Sequence, residues 1–142
     1  MWKMLLNGQM IIWLVLLGIA SVQDMKTRSI HVAIPFTAMG IGIIGFVMCD
    51  SRSLTEMLIG LSIGMVFLCV SLGTKGKIGL GDAFMILASA FYFSGENILR
   101  ILLVAGVISF VILVVMHLRK KKIKELPFMP FLFGGSVVVL CI

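Results

Sequence analysis

Acidic side chains are the scarcest chemistry in this chain: six among 142 residues, against twelve Lys and Arg. Charged residues of both signs reach only 13%, about half the share of an ordinary soluble domain. Too few are present to clothe a water-exposed surface, and no room is left for a separate soluble domain. Histidine is represented by His31 and His117 alone, far apart and without neighbours at metal-ligand spacing. The three cysteines, Cys49, Cys69 and Cys141, are odd in number and show no CxxC spacing. That excludes a disulfide framework and a zinc site, and the cysteines read as small buried hydrophobes. No metal and no cofactor are expected. Repeats and low-complexity segments are absent too, so residues 1–142 read as one membrane-embedded domain.

What fills the chain is hydrocarbon. Apolar residues make up 61% and the mean hydropathy is +1.19, where globular chains run near 45–50% apolar. The class is an all-α polytopic membrane protein. The net charge of +6 would point to nucleic acid in a soluble protein. Here basic residues belong to loops held on the cytoplasmic side, and no nucleic-acid partner is expected. The run at the N-terminus resembles a secretory signal, but Ala20-Ser21-Val22 is a poor cleavage site, so a retained first helix is expected.

A helix needs about 20 residues to cross the hydrocarbon. Six candidate spans follow: Met4–Val22, Val32–Cys49, Leu54–Leu72, Asp82–Phe93, Asn97–Leu118 and Pro127–Ile142. The fourth and sixth are short. The loops near 23–31, 73–81 and 119–126 then share a side, and they hold nine of the twelve basic residues. Lys3, Arg52 and Arg100 are the three on the other side. This asymmetry puts those loops in the cytoplasm and both termini outside. Gly40, Gly42 and Gly45 in the second span, and Gly60 with Gly64 in the third, predict close helix packing.

Two of the six acids fall at the same membrane face. Asp24 opens Asp-Met-Lys-Thr-Arg-Ser-Ile (24–30), and Asp82 closes Gly79-Leu-Gly81-Asp82, 58 residues later. Carboxylates beside hydrocarbon are costly and rarely kept without a function. A pair of them is the equipment for hydrolysing a peptide bond. One, ionised, takes a proton from the attacking water, while the other, protonated, polarises the carbonyl and later feeds the leaving amine. Gly79 and Gly81 would allow close backbone approach to the partner carboxylate or to an unwound substrate strand. Taken alone, Gly-x-Gly-Asp is a weak signal that also fits a loop turn. Asp24 alone fits a solvated loop residue paired with Lys26 or Arg28.

These segments resemble the type IV prepilin and preflagellin peptidases, membrane aspartic proteases of the GxGD kind. Asp24 to Ile30 is similar to the family's Asp-x-x-x-Arg-x-Ile-Pro-Asn stretch, and Gly79 to Asp82 to its Gly-x-Gly-Asp-x-Lys motif. Pro127-Phe-Met-Pro130-Phe resembles its Pro-Phe-Gly-Pro-Phe segment. The resemblance implies Asp24 and Asp82 as the catalytic pair, with Gly79, Gly81, Arg28, Pro127 and Pro130 in support. His31, Val32, Phe84 and Met129 depart from the pattern, and they bear on substrate geometry rather than on the carboxylates. The implied activity is cleavage of leader peptides from pilin-like precursors at the cytoplasmic face of the cell membrane. The paired CxxC extension of longer members is absent, so no N-methylation is expected. The oligomeric state is left open.

Two other readings stand beside this one. A small transporter or assembly subunit could use the two acids for protons or cations, but its ion site belongs near mid-membrane, not at span ends. A degenerate peptidase would keep the motifs without turnover. The topology is open to direct test. In a background lacking the native cysteines, Lys75→Cys and Lys121→Cys should resist a membrane-impermeant thiol reagent in intact cells and react after lysis. Ready labelling from outside would invert the assigned orientation.

Overall fold

The computed structural model describes residues 8–27, 31–49, 53–75, 79–122 and 126–142. Among them the regular structure is six α-helices: α1 (Gly8–Thr27), α2 (Ala33–Cys49), α3 (Leu54–Gly73), α4 (Leu80–Ser89), α5 (Gly95–Leu118) and α6 (Met129–Cys141). The helix termini follow from local chemistry. Ser53 caps α3, its Oγ accepting from the Glu56 N–H at 3.3 Å, the first half of a capping box. At the other end of α3, Lys75 takes a left-handed φ of 52° and its N–H reaches the Leu72 carbonyl. The end of α5 repeats this with Lys120, and Lys121 N–H adds a bond to the Met116 carbonyl. That pair of bonds is a Schellman motif, here built on lysines, whose charge suits the negative end of a helix.

Length and composition separate the helices into two kinds. α1, α3 and α5 are long and apolar enough to cross a membrane, and α2 and α6 are shorter apolar helices of 17 and 13 residues. The expected fourth span, Asp82–Phe93, is different. α4 has only ten residues, about 15 Å of rise, and the chain then turns through residue 93. Every residue from 85 to 93 is buried.

Contacts run α1 to α2, α2 to α4, α4 to α3, α3 to α5, α5 to α6 and α6 back to α1, closing a ring. The outer faces of the long helices remain apolar: Leu103, Phe110 and Leu118 on α5 are 67%, 68% and 75% exposed. Contiguous apolar surface of this extent is a liability in water and ordinary against lipid tails. Cys69 and Cys141 belong to this outer surface, exposed and free. The expectation that they are buried is corrected; a small thiol costs nothing facing hydrocarbon, so nothing drives it inward.

In lipid, helices gain little from burying apolar area, so association rests on close packing and hydrogen bonds. The glycines supply the first. A methyl carbon placed on Gly64 would stand 2.6 Å from Leu87 Cα, on Gly60 3.1 Å from Ala90 Cα, and on Gly42 2.7 Å from Phe91 Cβ. These three let α4 and its following turns press against α3 and α2. Gly45 receives Gln9 of α1 instead, while Gly40 faces open space. Trp13 of α1 lies 4.8 Å from the Tyr92 ring and 6.0 Å from Phe93. The Tyr92 hydroxyl donates to the Ala38 carbonyl of α2 at 2.7 Å, joining α2 to the segment after α4.

Gly64→Ala should therefore lower stability by about 1–3 kcal/mol through overpacking, read as a fall in melting temperature in detergent micelles. Gly40→Ala, with no atom in the way, should leave it unchanged or slightly raised.

Candidate active site

Asp24 sits in the last turn of α1 and is buried, 7% exposed. Its position within its own helix is poor for a carboxylate, because the C-terminal end of a helix carries partial negative charge. α6 compensates. Met129, the first residue of α6, donates its backbone N–H to Asp24 Oδ2 at 3.2 Å, and the Phe128 amide acts on the same carboxylate. Amides at the start of a helix have no partner within it, so the bond across the bundle satisfies both sides. Asp24 is thus a buried group bonded to another helix and not a solvated loop residue.

Pro127 and Pro130 frame that contact. Pro130 occupies the second position of α6, where its missing N–H costs nothing and its fixed φ favours helix initiation. The resemblance implies these prolines only as support for the aspartate pair. The structure ties their segment to Asp24. The participation of the Met129 amide was missed from sequence, since main-chain donors leave no motif; the two prolines that mark the helix start are the only signal pointing to it.

Asp82 lies in the first turn of α4, half-buried. Gly79 is the N-cap, with its carbonyl accepting from Ala83 N at 3.2 Å. A methyl carbon on Gly79 would stand 3.1 Å from Asp82 Oδ2 and 3.4 Å from Cγ, so the carboxylate folds back over the start of its own helix. Gly79 makes room for Asp82 itself. Gly81 is half-buried within the same turn.

The charge of Asp24 bears on the Asp82 carboxyl, alongside the burial of Asp82 itself. Three helix ends, the C-terminus of α1 and the N-termini of α4 and α6, therefore converge on one acidic pair. Arg28 lies outside the described residues. His31 and Val32 are exposed before α2; the His31 N–H donates to Gln23 Oε1 at 3.4 Å, and its Nδ1 accepts from Ala33 N at 3.5 Å. Phe84, where the resemblance has Lys, packs on Phe36 of α2 with ring centroids 5.5 Å apart. The described residues include no cluster of three or more His, Cys, Asp or Glu suited to a metal.

An all-helical membrane protein with an interacting carboxylate pair at one end of its bundle is the class this architecture defines. The model of the type IV leader peptidase family matches residues 11–118, and the chain belongs to that family. Neither a curated protein nor a solved structure matches the chain. The family match contains both aspartates and ends before α6, the helix whose amide holds Asp24.

Gly79→Ala adds a methyl carbon 3.1 Å from Asp82 Oδ2, to which the carboxylate must yield by a few tenths of an ångström, and rates fall steeply with misplacement, by about a hundredfold for 1 Å. Cleavage should fall by roughly ten- to a hundredfold while the melting temperature stays near that of the parent. Unchanged turnover would mean that the folded-back carboxylate position is irrelevant to activity.

Proposed function

We propose that this protein is an aspartic endopeptidase that removes leader peptides from pilin-like precursors, with Asp24 and Asp82 as its catalytic pair. What carries this reading is the family of the chain, leader peptidase over residues 11–118, together with two aspartates in helix-terminal turns, the charge of Asp24 bearing on Asp82. Close like charges resist double ionisation, so the pair shares one proton and titrates as a unit. The ionised member removes a proton from water as its oxygen attacks the scissile carbonyl carbon. The protonated member donates to the carbonyl oxygen, and the tetrahedral species collapses as the leaving amine takes up a proton and the C–N bond breaks.

The Met129 amide is the positioning element for Asp24, and Gly79 leaves the space in which Asp82 turns. A peptide bond within a helix is shielded, so the precursor binds locally unwound, its hydrophobic helix continuing into the bilayer after the cut. The nine-to-three distribution of basic residues supports cleavage at the cytoplasmic face. Loops rich in Lys and Arg repel a basic leader, so recognition rests on the hydrophobic helix and on a small residue just before the scissile bond. Transport or assembly roles gain no support, since both acids lie in terminal turns of their helices.

Purified protein in lipid vesicles should shorten a pilin-like precursor, and Asp24→Asn and Asp82→Asn should each abolish this. Asn retains an oxygen for the Met129 N–H, so the Asp24→Asn protein should still insert and melt cooperatively. Appreciable cleavage by either variant would remove the catalytic assignment. In the same assay a neutralised leader should be tolerated, and a bulky residue before the cut should not.

A further inference from the structure

Trp13 is 1% exposed, and its Nε1 is buried with no hydrogen-bond partner among the described residues. An indole N–H withdrawn from water and left unpaired loses its solvation with nothing in exchange, and buried polar groups of this kind are nearly always satisfied by protein or by ordered water. Trp13 also borders a small interior cavity of about 10 Å³, shared with Ile86, Ser89, Ile98, Leu132 and Ser136. That is about the space the centre of one water molecule requires.

The polar groups around the cavity have complementary roles. Ser89 Oγ donates to the Ile86 carbonyl, and Ser136 Oγ donates to the Leu132 carbonyl at 2.9 Å. Each hydroxyl has thereby committed its proton within its own helix and keeps lone pairs free to accept. One N–H donor and two oxygen acceptors match what a single water offers: one bond accepted and two donated, the usual number for a buried water. A cation would face the indole N–H. An anion would face two oxygens with no proton to give. Anything larger than water lacks the space.

We propose that one structural water occupies this cavity, accepting from Trp13 Nε1 and donating to Ser89 Oγ and Ser136 Oγ. The water cross-links α1, α4 and α6, the three helices that carry Asp24, Asp82 and the Met129 amide. It stands independently of the peptidase reading. The test uses the full chain in micelles with ¹⁵N-labelled indole, Trp2→Phe serving to assign the Trp13 signal. The Trp13 indole N–H should show a cross-peak to water of opposite sign in NOE and ROE spectra, which separates contact from proton exchange. Ser89→Ala combined with Ser136→Ala should abolish it, and either substitution alone should weaken it at least twofold. Absence of the cross-peak in the unsubstituted protein would overturn the proposal, as would a cross-peak undiminished in the single or double serine variants.

Discussion

The bond from the Met129 amide to the Asp24 carboxylate is the contact on which the arrangement of the site depends. Each partner lacks a solution within its own helix. Asp24 sits at the negative end of α1, and the first amides of α6 have no carbonyl to reach. Joining them neutralises two liabilities at once and fixes the end of α1 against the start of α6. Away from bulk water such an unpaired group is more costly than at a solvated surface, so the pairing selects one register between these helices.

Around that contact the bundle is assembled by fit rather than by hydrophobic gain. Gly64 admits Leu87, Gly60 admits Ala90, and Gly42 admits Phe91, which seats the short α4 and its turns deep among longer neighbours. Asp82 stands in the first turn of α4, so the seating of α4 sets the position of the second carboxylate. The aromatic cluster of Trp13, Tyr92 and Phe93 locks the far end of the same segment to α1. The Tyr92 hydroxyl bond to Ala38 secures α2.

At Gly79 the motif and the structure assign the missing side chain different neighbours. Its missing side chain was expected to admit a partner carboxylate or substrate backbone. It admits the Asp82 carboxylate of its own turn, an interaction local enough to follow from the Gly-x-Gly-Asp spacing once a helix start is placed at residue 80. The prolines at 127 and 130 likewise marked a helix start, but nothing in their spacing tells which distant side chain that start will face.

The membrane character of the chain, the apolar segments from which its helices form and the candidacy of Asp24 and Asp82 were all legible in the sequence. Each depends on local composition: runs of apolar residues, lysines gathered in particular loops, carboxylates set against hydrocarbon. The brevity and deep burial of α4, the exposure of Cys69 and Cys141, and the capture of Asp24 by the Met129 amide were decided by tertiary structure alone. The reason is physical. In a chain that is apolar on nearly every helix face, hydrophobicity does not say which face turns inward; shape complementarity at glycines and the pairing of backbone groups between helices do, and neither is written in any single segment.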